Sequence, residues 1–350
     1  MKLATFASRS APDQPPRIGA LLSDKKTLLD LAEGYRAMTG TSRAWCSDML
    51  GWFDGGSEAA DETRRLLEYA ERERPRHILH ELNNVVLLAP VPRPRSIRDC
   101  MAFERHLIQA IRGALRLRRS SRWLAVLDQT IERYFGRGLI RPPRVWREQP
   151  VYYKGNPLSV VGPEAEIRWP TSTSRLDYEL EFGIFIGRQG RDIPEGRAKD
   201  YIAGYTIFND FSARDVQLRE MAARLGPAKG KDFDTGNVMG PYLVTPDEVP
   251  DPYVLAMTVR VNGEVWSTGN SRAMTHHFER ILAHISRDET VFPGEVIGSG
   301  TVGGGCGLEI GRWIQIGDVV ELEVERLGVL RNRIVASNAT SSSLQMKRST

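Results

Sequence analysis

Asp177-Tyr-Glu-Leu-Glu-Phe-Gly-Ile-Phe-Ile-Gly187 sets three acids at alternate positions and then runs into an unbroken apolar stretch. Residues two apart on a strand share a face, so Asp177, Glu179 and Glu181 are expected to project together while Tyr178, Leu180 and Phe182 pack behind. Three like charges on one face repel unless water screens them or a cation is shared. Their hard oxygen atoms suit Mg²⁺, Mn²⁺ or Ca²⁺ better than zinc. An exposed acidic edge strand is the other reading. Downstream, Gly204-Tyr-Thr-Ile-Phe-Asn-Asp210-Phe-Ser-Ala-Arg-Asp-Val-Gln217 reads as an apolar strand that ends at Asn209-Asp210, with a helix beginning at Ser212. Asp210 at that strand end can complete a carboxylate set with Glu179 and Glu181. Helix capping is its alternative role, which Ser212 would serve equally well.

Working outward, the chain after Pro142-Pro143 is strand-rich. Leu180 to Ile186, Tyr201 to Phe208, Tyr253 to Val261 and Val319 to Val324 are β-type runs separated by Gly, Pro and Asp. Long helices do not alternate with them, which disfavours a doubly wound sheet. Residues 1–88 read as a small mixed domain, with a hairpin across Arg17 to Leu29 and a helix across Ser57 to Arg74. Three prolines in Ala89-Pro-Val-Pro-Arg-Pro-Arg95 forbid helix and central strand alike, so a domain boundary is placed there. Ser96 to Phe135 is expected to be mainly helical, with Leu124, Leu127, Ile131 and Tyr134 on one face. The Ser- and Thr-rich residues 336–350 read as a flexible tail.

Composition mostly excludes. Over 350 residues, 41% hydrophobic and 26% charged, disorder is not expected and a sizeable core is. The longest apolar run, Val85 to Val91, cannot cross a bilayer, so no membrane association is expected. No export signal opens the chain, and Cys46, Cys100 and Cys306 do not make a disulfide framework. A cytoplasmic setting follows as the expectation. A net charge of +4 is too weak a bias for a nucleic-acid partner. The excess is local: Arg112 to Glu148 holds ten arginines against three acids. That segment reads as a solvated amphipathic helix, or as a lid screening an anionic substrate.

The quoted segments resemble the fumarylacetoacetate hydrolase family, longer fumarylacetoacetase-like members in particular. The family's D-x-E-x-E lies at Asp177 to Glu181 and its G-Y-x-x-x-N-D-x-S-A-R-D-x-Q at Gly204 to Gln217. Gly230-Lys231-Asp-Phe-Asp-Thr and Pro293-Gly-Glu-Val-Ile-Gly-Ser-Gly-Thr301 are similar to its two later segments. The resemblance runs from about Pro90 to Val335. It implies an α+β fold, a mixed β-sandwich roll as catalytic domain over 89–335 with a small α/β N-terminal domain, and a homodimer. It implies Mg²⁺ (or Mn²⁺ or Ca²⁺) bound by Glu179, Glu181, Asp210 and Asp99, and His106 as general base oriented by Glu309. Lys231 faces the substrate, while Tyr153, Gln217, Thr301 and Arg214 contact it. Two departures stand out. Gln109 occupies the position where shorter members carry the glutamate of H-x-x-E, and the arginine-rich insertion, residues 107–147, has no close counterpart in them.

The activity this implies is hydrolysis of a carbon–carbon bond in a β-diketo acid, the partner being a small anionic diketo or 2-oxo acid. A decarboxylase or isomerase of a 2-oxo acid is the first alternative, since both reactions dispense with activated water. A non-catalytic metal- or ligand-binding member is the second. His106 by itself reads equally as a core histidine, and His276-His277 as structural, since adjacent side chains diverge. Gly298-Ser-Gly300-Thr-Val-Gly303 satisfies a dinucleotide pattern formally. No helix is expected after it, so a glycine-rich active-site loop is the reading adopted.

Overall fold

The computed structural model describes residues 1–337. The chain opens with β1 (Lys2–Ser8), β2 (Arg17–Leu21), β3 (Thr27–Asp30), α1 (Leu31–Thr39), α2 (Met49–Asp54), α3 (Gly56–Glu73), β4 (Leu79–Glu81) and β5 (Val85–Leu87). Then come β6 (Ile97–Cys100), the helices α4 (Glu104–Leu117), α5 (Arg122–Phe135) and α6 (Arg144–Glu148), and β7 (Tyr152–Gly155). The β-rich part follows: β8 (Val160–Val161), β9 (Glu166–Arg168), β10 (Leu176–Asp177), β11 (Leu180–Ile186), β12 (Ile202–Asp210), β13 (Ser212–Ala213), α7 (Arg214–Ala222) and β14 (Asn237–Val244). The chain continues through β15 (Ala256–Val261), β16 (Glu264–Asn270), α8 (Phe278–Ile285), β17 (Val296–Gly298), α9 (Gly307–Ile310), β18 (Val319–Val324) and β19 (Gly328–Val335). Residues 338–350, most of the expected tail, lie outside the described residues.

The apolar run after Glu181 has a direct physical cause. β11 lies between β12 and β17 in a large mixed sheet of order β4-β3-β2-β1-β14-β12-β11-β17-β6-β7, and all seven of its residues are buried. Phe182, Ile184 and Ile186 face one core, shared with Met257, Val259 and Leu322 of the second sheet, ordered β16-β15-β18-β19-β9. Phe185 points the other way, into a core with Trp52, Phe53 and Leu66 of the N-terminal helices. A strand covered on both faces cannot alternate apolar with polar. The layers are therefore N-terminal helices, large sheet and five-stranded sheet.

Two observations bear on the boundary expected at Ala89. β1 pairs antiparallel with β14, and Phe185, Phe208, Met239 and Val296 share a core with residues 1–88. Strands from both sides of the boundary thus belong to one sheet.

Two local expectations are corrected. Ile97–Cys100 is a fully buried strand parallel to β17, so the expected helix starts only at Glu104. Four residues are too few for periodicity to separate helix from strand. Within α5, the predicted stripe faces outward: Leu124, Leu127 and Tyr134 are exposed, while Asp128 is buried against Arg112 of α4. α5 docks through its charged side. Among the described residues, no helix is long and apolar enough to cross a membrane.

Since one core joins both parts, Phe185→Ala should lower stability by about 3–5 kcal/mol and leave a single cooperative transition in a thermal melt. Two separated transitions, in wild type or variant, would contradict the shared core.

Candidate active site

Strand ends and one glycine loop build the site. On β6 the pleat alternates: Arg98 turns to Glu295 and Glu289, and Asp99 turns inward. β17 places Gly298 opposite Asp99, where an added Cβ would lie 2.3 Å from Asp99 Oδ1, so only glycine admits the carboxylate. Next to it, Gly300 takes a φ of +76°. Its N–H donates to Asp99 Oδ1 at 3.2 Å and to Glu181 Oε2 at 3.1 Å. The Thr301 hydroxyl donates to Glu181 Oε1 at 3.2 Å. β12 ends at Asp210, which accepts from the Tyr153 hydroxyl at 2.6 Å. Asp99, Glu181 and Asp210 are all buried, and one oxygen of each lies within 4.8 Å of the others.

The expectation that Asp177, Glu179 and Glu181 share one face is corrected. β10 ends at Asp177 and β11 begins only at Leu180, so the strand breaks between the acids. Asp177 accepts from Arg214 Nε at 2.8 Å and from the backbone N–H of Gly307 and Leu308 at 2.8 and 3.0 Å. It anchors the start of α9 and stays apart from the trio. Glu179 is ion-paired: Arg214 Nη2 lies 2.8 Å from one oxygen and Lys231 Nζ 2.6 Å from the other. Lys231 also pairs with Asp210. Arg214 further donates to Gln217 Oε1 at 3.0 Å, so it fixes Glu179, Asp177 and Gln217 together. α7 starts at Arg214 rather than Ser212, and neither Asp210 nor Ser212 caps it.

A second pair reaches the same cavity through His106. His106 of α4 places Nδ1 2.6 Å from Glu309 Oε1 of α9, and Glu309 Oε2 accepts from Gly304 N–H at 2.7 Å. Cys306 Sγ donates to the same carboxylate at 3.4 Å. Burial pushes that thiol up, and Glu309 adds to the effect, so it stays protonated. Gln109 is not part of the pair. A one-turn helix, α9, does follow the glycine loop, contrary to expectation, but its leading N–H groups are taken by Asp177. Elsewhere His276 is buried on the Trp146 carbonyl and His277 stacks on Tyr253.

Asp99, His106, Glu179, Glu181, Lys231 and Thr301 line one cavity of about 340 Å³, as do Tyr153, Arg214 and Gln217. Its remaining wall went unpredicted. Leu107, Ile111 and Ala114 of α4 face Leu218 and Met221 of α7 across it. Their signal was available, since Leu107, Ile111 and Ala114 recur at i, i+4 and i+7 and Leu218 and Met221 at i and i+3. The idea of an arginine screen is corrected by the same lining. Among the described residues of 112–147, Arg112 pairs with Asp128 and Glu132 and Arg116 bonds the Glu309 carbonyl, and no arginine of that stretch reaches the cavity.

Comparison with known proteins bears on the family and the fold. The family described as Fumarylacetoacetate (FAA) hydrolase C-terminal matches residues 130–335. The chain belongs to the fumarylacetoacetate hydrolase family. The human mitochondrial oxaloacetate tautomerase FAHD2A is 38% identical over 189 residues, 54% of this chain and 60% of that protein. Its Xenopus laevis counterpart, oxaloacetate tautomerase fahd2, is 29% identical over 96% of this chain and 90% of its own. The solved fumarylacetoacetate hydrolase of Exiguobacterium antarcticum superposes with TM-score 0.68 at 26% identity, covering 96% of this chain and 99% of that one. The maleylpyruvate hydrolase of Sphingobium sp. SYK-6, solved with manganese(II) and pyruvate, shares the fold at TM-score 0.65 and 21% identity, with 96% and 99% covered. The mixed α+β architecture is that of these structures.

The electrostatics of this family site are lopsided. Burial, then the neighbouring Asp210, raises Asp99 well above the usual carboxylate range, and burial with Asp99 does the same to Glu181. Burial also lifts Asp210, to about 6, although Lys231 pulls against it. Glu179 goes the other way. Burial would raise it, but Arg214 and Lys231 outweigh that and hold it ionised. Lys231 stays charged because Asp210 and Glu179 more than offset its desolvation. The trio is thus an oxygen-only, buried cluster in which Lys231 pairs with Asp210 alone, and among the described residues Asp210 Oδ1 has no hydrogen-bond partner. Such a donor set fits a hard divalent cation.

The pH dependence follows in sign. Without metal, folded Asp99, Glu181 and Asp210 keep protons that the unfolded chain releases. Their contribution is therefore favourable at acid pH and is lost as pH rises, for Asp210 through about 6. A cation must displace those protons. Calorimetry should show proton release on Mn²⁺ binding, and affinity at least about tenfold tighter near pH 8 than near pH 5.5. Affinity that is flat across this range would contradict the assignment.

Proposed function

We propose that this chain is a divalent-metal-dependent isomerase that interconverts the keto and enol forms of a 2-oxo acid. The carrying observation is one cavity lined by Asp99 and Glu181 of the buried trio, by Lys231 and by His106, whose ring is held by Glu309. The relative that this chain matches over most of its length, the Xenopus laevis protein, bears the name oxaloacetate tautomerase, which supports isomerisation ahead of hydrolysis.

Asp99, Glu181 and Asp210 would hold Mg²⁺, Mn²⁺ or Ca²⁺, which when bound supplies Lewis acidity toward the oxygens of the 2-oxo acid. His106 does the proton transfer. Glu309 fixes its ring through Nδ1, leaving Nε2 to take a proton from C3 of the keto form and deliver it to the C2 oxygen to give the enol, the reverse transfer restoring the keto form. Lys231, kept charged by Asp210 and Glu179, faces the oxygen on which negative charge develops. Gln217 and Thr301 orient the substrate, and Tyr153 holds Asp210. Arg214 is a positioning residue, because its donors are spent on Asp177, Glu179 and Gln217.

The His106–Glu309 pair also supports a second reading, hydrolysis of a carbon–carbon bond, in which Nε2 takes its proton from water. Decarboxylation and a purely binding role leave the pair without a use.

With Mn²⁺ and oxaloacetate, tautomerisation should be followed by the enol's ultraviolet absorbance. Glu181→Gln should lower kcat/KM by at least about 100-fold, and His106→Asn by about 100-fold or more. Undiminished turnover in both variants, or full turnover with chelator, would overturn the reading. If wild type releases pyruvate from acetopyruvate and His106→Asn stops only that release, hydrolysis is the activity.

A further inference from the structure

The mouth of the cavity has a chemistry unlike its floor. Every charged group of the lining is buried: Asp99, Glu179, Glu181, Arg214 and Lys231, and so is His106. Above them the cleft is bounded by Leu107, Ala110, Ile111 and Ala114 on α4 and by Leu218 and Met221 on α7. The four α4 positions fall on one helical stripe and the two α7 positions on another, so each helix turns an apolar edge to the cleft. All six are at least partly exposed, Met221 at 48%, so they are open to the cavity rather than sealed in a core.

Arg214 and Lys231 are the only cations of the lining among the described residues, and both are already paired with carboxylates. A substrate with a second carboxylate at its far end would bring it against leucine, isoleucine and methionine with no cation to meet it. Desolvating an unpaired carboxylate costs far more than such contacts return. An alkyl or aryl end gains from the same surface. A cavity of about 340 Å³ also exceeds what a four-carbon acid needs, falling at the lower end of sites that enclose larger organic ligands.

We propose that the substrate is a 2-oxo acid with a single carboxylate, whose far end is an alkyl or aryl group seated between α4 and α7. This rests on the functional reading above and narrows its substrate class. The enzyme would then differ in specificity from a dicarboxylate tautomerase, although the floor is built for the same enolisation. It also gives the arginine-rich insertion a role that its charges do not suggest, since its first helix supplies half of the apolar cleft.

The test uses the full chain with Mn²⁺ and four acylpyruvates, namely acetopyruvate, butyrylpyruvate, hexanoylpyruvate and benzoylpyruvate, set against oxaloacetate and fumarylpyruvate. Calorimetric binding and exchange of the C3 protons with D₂O are both measured. Affinity and kcat/KM should rise about threefold per added methylene from acetopyruvate to hexanoylpyruvate. Benzoylpyruvate should exceed fumarylpyruvate by at least about 30-fold. Ile111→Arg and Met221→Arg should each reverse part of that ratio, by about tenfold or more toward fumarylpyruvate. A flat series, a preference for the dicarboxylates, or arginine variants that leave the ratio unmoved would overturn the inference. Its failure is separable from that of the functional reading. Tight, graded binding of acylpyruvates with no C3 exchange and no pyruvate release sinks the reading while the pocket assignment stands.

Discussion

The structure turns on an excess of buried negative charge. Asp99, Asp177, Glu179, Glu181 and Asp210 lie together at the ends of β6, β10, β11 and β12, with Arg214 and Lys231 as the buried cations among them. Arg214 is committed to Asp177 and Glu179, and Lys231 to Glu179 and Asp210. Two cations against five acids leave an excess of negative charge, and at Asp99, Glu181 and Asp210 burial and neighbouring carboxylates favour protons on the carboxyls. A fold keeps such a cluster only if the surrounding sheet holds it rigidly and a ligand draws on it. Both conditions are visible: β11 and β12 are buried on both faces, and the surplus faces a cavity.

That constraint explains why the glycine loop is placed as it is. Gly298 admits Asp99 at a distance no side chain allows, and Gly300 turns its N–H onto Asp99 and Glu181. The same loop runs on to α9, where Asp177 captures the helix start and Glu309 reaches His106. One connected stretch thus sets the distance between the carboxylate trio and the base. The pairing of His106 with Glu309 spans 203 positions, yet both partners are tied to this loop, one through α4 packed on α9 and the other through Gly304.

Much of this was legible before any coordinates. The apolar run after Glu181 marked a doubly covered strand, and the motif around Asp210 marked a strand end facing chemistry. What could not be read was the division of labour among adjacent acids. Alternation treats Asp177, Glu179 and Glu181 as equivalents, but the break at Tyr178 and the long-range arrival of Arg214 and Lys231 separate them. Those partners lie 37 and 52 positions away from the acids they neutralise. The arginine-rich insertion misled for a related reason. Arg112 is spent on Asp128 and Glu132 and Arg116 on the Glu309 carbonyl, so the face that matters is the apolar one, which charge patterning does not single out. In the same way α5 packs through Asp128 and leaves its leucines outside, the reverse of what its periodicity implies.

The central claim is that the surplus of buried negative charge at Asp99, Glu181 and Asp210 marks where a cation belongs. A crystal structure of the Mn²⁺-soaked protein, with anomalous scattering recorded at the manganese edge, tests this most directly. The account predicts one strong peak within bonding distance of Asp99, Glu181 and Asp210. A peak seated instead among His106, Cys306 and Glu309, or no ordered peak near the trio at saturating Mn²⁺, would contradict it.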